Sequence, residues 1–182
     1  MHDTLRDRAR TQEGPDRCPT AAVIDSQTVP AADTAPRSSR WWGGAKRTNG
    51  RKRHIAVDAN GLPLGVVVTA ASIQDRDAAH RLLAALRVAF LHHTAGRGRR
   101  WLPRSAARLG RNMFSPCEFR SIANQAVPDS TSAPTSGWSS GPFAWISKHR
   151  RGVRDYETRP DHHEAMVRIA VIVRMARRLA RT

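Results

Sequence analysis

Hydrophobic and polar positions predict a strand followed by a hairpin. Residues 20–29 are largely apolar and partly β-branched, which predicts a buried strand. Residues 53–59 alternate moderately and predict a second strand, and residues 62–71 predict a third. Asn60 and Gly61 lie between them and are typical of a type I′ turn, in which both residues take a positive φ.

Helical periodicity follows the hairpin and returns near the end of the chain. Residues 78–90 predict a helix whose apolar stripe is formed by Leu82, Leu83, Leu86 and Phe90. Residues 143–157 can be helical, and 162–181 predict a long helix with Asp161 as its N-cap. One side of that helix carries Met166, Ile169, Ala170, Val173 and Ala180, and we expect this apolar side to pack in the core. A strand, a hairpin and then helices predict an α/β fold.

The middle of the chain, residues 91–142, has a different character. It is rich in arginine, serine, proline and glycine, and neither a strand nor a helix period persists in it. Two interpretations are open: a disordered linker, or GC-rich DNA translated out of frame. We expect an irregular segment here.

The net charge of +16 favours nucleic acid as the partner. No apolar run reaches the ~18 residues of a membrane span, and the N-terminus has no apolar core typical of a signal peptide. We therefore expect nucleic acid as partner, no membrane association and a cytoplasmic location. Cys18 and Cys117 lack the spacing of a zinc site, and we expect no role for them.

Asp25 is the candidate catalytic and metal-binding residue. It ends an apolar run and precedes a basic loop, and a carboxylate placed beside a phosphate-attracting surface suits metal-assisted phosphodiester chemistry. The alternative for Asp25 is a strand-end residue that bonds the following loop. We expect Asp58 to be a turn residue, and Asp75 and Asp77 to cap the helix that follows them.

Two groups of basic residues are candidate DNA-binding sites. The first group is Lys46, Arg47, Arg51, Lys52, Arg53 and His54. No acid falls between Asp33 and Asp58, and Trp41 and Trp42 precede the group and could stack on bases. The second group is Lys148, Arg150, Arg151 and Arg154.

Several of these segments resemble one family. VIDSQTV, NGRKRHIAVD and VVVTAASIQDRD, together with FAWISKHRRGVRDYE and HHEAMVRIAVIVRMARRLA, resemble DDE transposases of the IS5 group, within the IS4-type superfamily of bacterial insertion-sequence transposases. The resemblance covers 20–90 and 143–181. It implies a ribonuclease-H-like fold and a catalytic centre in which two Asp and one Glu hold Mg²⁺, with Asp25 as the first Asp.

The other two acids of that centre are missing from their expected places. The second Asp is expected soon after residue 90, where the chain reads LHHTAGRGRRWLP. The Glu is expected three residues before Phe143, where the chain has Ser140. A resemblance that stops near 91 and resumes near 143 is what two compensating frameshifts would produce, so we expect a truncated and frameshifted copy.

The resemblance also implies the domain organisation. Residues 1–19 would be a remnant of an N-terminal helical region, 20–90 the first half of the catalytic domain, 91–142 the irregular segment, and 143–182 its C-terminal helical end. The fold would thus be a partial ribonuclease-H-like fold.

Three functions follow as alternatives. One, implied by the resemblance, is a transposase that binds double-stranded DNA at insertion-sequence ends and cleaves and transfers its strands, with a homodimer as a possible assembly. Another is a catalytically dead DNA-binding remnant of that family, and the last is an unrelated basic nucleic-acid-binding protein. Because the second Asp and the Glu are missing, we expect this copy to be inactive.

Overall fold

A computed structural model describes residues 1–13, 19, 21–44, 46–58, 60–95, 120–123 and 136–181. The helices are α1 (His2–Glu13), α2 (Asp75–Ala95), α3 (Ser136–Ser147), α4 (Arg150–Val153) and α5 (Pro160–Leu179). The strands are β1 (Ala21–Pro30), β2 (Trp41–Gly43), β3 (Thr48–Asp58), β4 (Pro63–Ala70) and β5 (Arg120–Ala123). A short 3₁₀ turn, Arg37–Ser39, precedes β2.

The strands form one mixed sheet with β3 and β1 at its centre. β3 pairs antiparallel with β1 on one side and with β4 on the other, and β2 pairs with the beginning of β3. β5 pairs with β1 in the parallel direction. Three antiparallel strands followed by a strand parallel to the first give the partial ribonuclease-H-like α/β fold that the sequence predicts.

The hairpin between β3 and β4 is confirmed, but its turn is not of type I′. Gly61 takes a positive φ of 71°, whereas Asn60 does not. Asp58 organises the turn, because its Oδ1 accepts hydrogen bonds from the backbone N–H groups of Asn60 (2.9 Å) and Leu62 (2.8 Å). Its predicted role as a turn residue is therefore confirmed.

Helices cover both faces of the sheet. On one face α2 packs on β4 and β3, with a core formed by Ala22, Ile24, Ala56, Leu64, Leu82, Leu86 and Phe90. On the other face α1, α3 and α5 pack together, with a core that includes Val23, Ile55, Val57, Phe143, Ile146, Val167 and Met175. The segments before residue 95 and after residue 136 therefore share one core.

The last helix turns a different side to the sheet from the one that the sequence predicts. Its buried residues are His163, Val167, Ala170, Val171 and Met175. Of the predicted side, Ile169 is 51% exposed and Ala180 is exposed. The predicted N-cap is also wrong: α5 begins at Pro160 with Arg159 as N-cap, and Asp161 lies in its first turn.

The remaining differences concern where elements begin and end. β3 starts at Thr48 rather than at residue 53, and β2 forms in the stretch between the first two predicted strands. Within the predicted irregular segment 91–142, α2 continues to Ala95, β5 forms, and α3 begins. The other residues of that segment, and the expectation of disorder for them, lie outside the described residues.

Candidate functional site

Asp25 lies in the middle of β1, opposite Ile55 of β3. Successive strand residues point to opposite faces, so Asp25 shares its face with Val23, which belongs to the core under α3 and α5. Its side chain is neither fully buried nor fully exposed. Its Oδ1 accepts a hydrogen bond from the backbone N–H of Ser26 at 2.7 Å.

The positions expected to complete a metal centre around Asp25 hold no acid. β5 is the strand next to β1, and its last residue, Ala123, pairs with Ile24, the residue before Asp25. The residue that follows Ala123 in the sequence is Asn124, which is not an acid and which lies outside the described residues. The position expected for the Glu, Ser140, lies on α3.

The donor set therefore does not fit Mg²⁺. Within the part of the chain that the structure describes, no three His, Cys, Asp or Glu residues are grouped so that they could hold a metal ion. A two-metal centre needs several carboxylates around both ions, and Asp25 is one.

The other acids near β1 are engaged in structural contacts. Asp75 begins α2, and its Oδ1 accepts a hydrogen bond from Lys52 Nζ at 3.1 Å. Burial raises the pKa of Asp75, but Lys52 and Ser26 more than offset it, so that pKa lies below its ordinary value. Asp58 pairs with Arg10 of α1, and both side chains are buried.

Three residues of the first predicted DNA-binding group are unavailable to DNA. Arg51, Arg53 and His54 are each 0% exposed. His54 Nε2 lies 3.0 Å from Thr69 Oγ1, and burial lowers the pKa of His54 to about 4. The prediction is wrong for these three, because β3 lies at the centre of the sheet and helices cover both of its faces.

Arg51 and Arg53 instead bind the C-terminal part of the chain. Arg51 Nη1 donates to Asp155 Oδ2 and to the carbonyl of Glu157, both at 2.8 Å. Arg53 Nη1 donates to the carbonyl of Gly152 at 2.7 Å. These bonds hold α4 and the loop after it against β3, the strand that pairs with β1.

Asp155 is the centre of this buried contact. It is 0% exposed, and its Oδ1 accepts a hydrogen bond from the backbone N–H of Glu157 at 2.9 Å and lies 3.1 Å from His163 Nδ1. Its own backbone N–H donates to the carbonyl of Pro30, at the end of β1. Burial raises the pKa of Asp155, but His163, the N–H of Glu157 and Arg51 together hold it below its ordinary value.

The remaining predicted DNA-binding residues lie at or near the surface. Lys46 and Arg47 are exposed in the turn between β2 and β3, and Lys52 is partly exposed. Lys148, Arg150, Arg151 and Arg154 are exposed around α4. Arg151 pairs with Glu157 at 2.9 Å, which partly neutralises this second group.

Sequence reasoning missed two further cations beside the first group. Arg37 and Arg40 line an open cleft with Trp41 and Trp42, whose side chains are exposed. Both arginines lie in the acid-free stretch that follows Asp33. The whole of that stretch, rather than its most basic part alone, would have indicated them as candidate DNA-binding residues.

Comparison with known proteins agrees with this geometry over part of the chain. Residues 16–99 match the family model of the transposase DDE domain. The matched region is a little under half of the chain and includes β1 with Asp25, the β3–β4 hairpin and α2. No curated protein and no solved structure matches the chain. The similarity supports a transposase function and implies DNA as the partner.

None of the described helices is both long enough and apolar enough to cross a membrane.

Proposed function

We propose that this protein is an IS5-group transposase relative that binds duplex DNA and is impaired in strand cleavage. One observation carries the proposal: Asp25 occupies a central strand of a ribonuclease-H-like sheet, while the described residues lack the partner acids. The match to the transposase DDE domain supports the ancestry. Insertion-sequence ends as the target, a homodimer and a cytoplasmic location stay predictions.

The DNA-binding part of the proposal rests on charge and on exposed cations. The chain carries a net charge of +16, and such a surface binds phosphates without needing a metal. With Arg51, Arg53 and His54 buried, we assign duplex contact to Lys46 and Arg47, and to the exposed cations around α4. Variants that neutralise the charge of these residues test the assignment.

Salt dependence of binding measures the contribution of Lys46 and Arg47. Each phosphate contact contributes about −0.9 to the slope of log K against log salt concentration. The variant Lys46→Gln/Arg47→Gln should therefore bind duplex DNA more weakly, with a slope shallower by about 1.8. Arg76→Gln/Arg81→Gln, on exposed positions of α2, is the matched control and should keep the wild-type slope. Equal slopes in all three proteins would contradict the assignment.

The catalytic part is tested by nicking of supercoiled plasmid in the presence of Mg²⁺. We expect no activity above background, because no group of acids around Asp25 that could hold a metal ion is found among the described residues. The second candidate function, an active transposase, is favoured by the match to the DDE domain. Nicking that disappears in Asp25→Asn would establish that function and would show that acids outside the described residues complete the centre.

The frameshift interpretation of 91–142 is tested on the gene. Another reading frame between the codons for residues 90 and 143 should encode an Asp at a strand end and a Glu shortly before Phe143. If both other frames lack these acids, the segment is an insertion or a linker.

A further inference from the structure

Two adjacent tryptophans on β2 leave most of their surface in contact with water. Trp41 is 60% exposed and Trp42 is 57% exposed. Most tryptophans bury a large part of their surface, because they carry a large apolar area. Exposed aromatic residues next to positive charge therefore point to a binding surface rather than to packing.

The tryptophans lie in an open cleft of defined composition. The cleft has a volume of about 420 Å³ and is lined by Asp33, Arg37, Arg40, Trp41, Trp42 and Asn49. Trp42 lies directly opposite Asn49 in the β2–β3 pair, so the two side chains share one face. The cleft thus combines aromatic surface, an amide with a donor and an acceptor, and cations.

Arg40 is held in place by its neighbours. Its Nη1 donates to the carbonyl of Ala32 at 3.2 Å and to Asp33 Oδ1 at 3.1 Å. Asp33 is almost fully exposed apart from this contact. Because Asp33 partly neutralises Arg40, Arg37 is the better candidate of the two for a phosphate contact.

We propose that this cleft binds an unpaired nucleotide of a DNA strand. The proposal rests on the proposed function and specifies the form of DNA that the cleft binds. A duplex keeps the faces of its bases stacked inside the helix, whereas an unpaired base can stack on a tryptophan. Asn49 can then hydrogen-bond the edge of the base, and Arg37 can contact its phosphate.

The position of the cleft relative to Asp25 is consistent with this assignment. From Asp25, β1 continues for five residues to its last residue, Pro30. Pro30 pairs with Gly50 of β3, and Gly50 pairs in turn with Trp41 of β2. Five strand residues span about 17 Å along β1, and the two strand spacings to β2 add about 10 Å sideways, so the cleft lies roughly 20 Å from Asp25. A short stretch of single strand that passes Asp25 can therefore reach the cleft.

Binding of short single strands tests the proposal. Fluorescence anisotropy would measure the affinity for labelled oligothymidylate and for a labelled duplex of mixed sequence. Stacking of one base on an aromatic side chain contributes 1–3 kcal/mol, which corresponds to roughly 5- to 150-fold in affinity. Trp41→Ala/Trp42→Ala should therefore bind oligothymidylate at least about fivefold more weakly and should bind the duplex with unchanged affinity.

Tyr156→Ala is the matched control. Tyr156 is also exposed and also lies beside an arginine, Arg154, but it is not in the cleft. It should leave oligothymidylate binding unchanged, and circular dichroism should show that all variants are folded. Equal oligothymidylate affinities of the tryptophan variant and the control would overturn the proposal, as would tighter binding of oligouridylate than of oligothymidylate.

The two proposals fail in different ways. Loss of duplex binding in the wild-type protein would refute the proposed function. Duplex binding that depends on Lys46 and Arg47, together with oligothymidylate binding that is insensitive to the tryptophans, would refute the cleft assignment alone.

Discussion

Replacing Asp155 by asparagine tests the buried ion pair that joins the two halves of the chain. Asp155 and Arg51 are both 0% exposed and lie 2.8 Å apart, although 104 positions separate them in the sequence. Asparagine has nearly the same shape as aspartate and can still accept the hydrogen bond from the N–H of Glu157. The variant therefore removes the charge and leaves most of the packing.

The expected loss of stability follows from the surroundings of Arg51. Removing one partner of a buried ion pair typically costs 3–5 kcal/mol, because the other charge stays buried without compensation. Arg51 keeps hydrogen bonds to the carbonyls of Ser39, Glu157 and Thr158. We therefore expect the lower end of that range, about 3 kcal/mol. Such a loss is a large part of the total free energy of unfolding of a domain, which is about 5–15 kcal/mol.

Urea unfolding followed by circular dichroism measures this loss. With a dependence of about 2 kcal/mol per molar urea, the midpoint should fall by about 1.5 M. Asp161→Asn is the matched control, because it removes an aspartate from an ion pair with Arg159 that lies on the surface. Its midpoint should change little. Equal shifts in the two variants would refute the view that Arg51 and Asp155 hold the halves together.

The other predictions also concern stability. Gly50→Ala should destabilise the protein by about 1–3 kcal/mol or more, since a Cβ would lie 2.0 Å from the carbonyl oxygen of Val29, whereas Gly44→Ala meets open space and should leave the urea midpoint unchanged. Because burial holds the pKa of His54 at about 4, below its ordinary value of 6.5, the folded state favours the neutral ring. The resulting stability, about 3 kcal/mol, is present above pH 6.5 and is lost as the pH falls towards 4; His54→Gln should flatten that part of a plot of urea midpoint against pH. Arg10→Gln should cost about 3 kcal/mol in urea unfolding by leaving the buried carboxylate of Asp58 without its cation.

Each of these has an outcome that would contradict it. Equal midpoints for Gly50→Ala and Gly44→Ala would show that β1 and β3 can separate without cost. An unchanged pH profile in His54→Gln would assign the acid sensitivity to another group. A wild-type midpoint for Arg10→Gln would mean that α1 contributes little to the core.

Much of the fold could be predicted from the sequence, because its elements depend on local periodicity. A β-branched apolar run predicted β1, the Asn60-Gly61 pair predicted the hairpin, and the spacing of leucines predicted α2. Asp25 could be chosen as the candidate catalytic residue because of its place at the end of such a run. Turn chemistry and periodicity act over a few residues, so the sequence displays them directly.

Other features could not be predicted, because they depend on which segments meet in space. Arg53 and Lys46 lie in the same basic run, yet Arg53 is buried and Lys46 is exposed. The difference arises because Phe143 of α3 and Gly152 of α4 cover the side chain of Arg53, whereas Lys46 lies in the turn between β2 and β3. Likewise, α5 has apolar residues on more than one side, and contact with the sheet and α3 decided that Val167 is buried while Ile169 is exposed.

The sequence by itself determined the positive charge, the strand that carries Asp25 and the hairpin beside it. The tertiary structure decided that Arg51 pairs with Asp155 and that Trp41 and Trp42 line a cleft with Arg37 and Asn49. The physical reason is that the environment of a charged or aromatic side chain is set by residues far away in the sequence. A single residue type does not specify whether its partner will be protein, water or DNA.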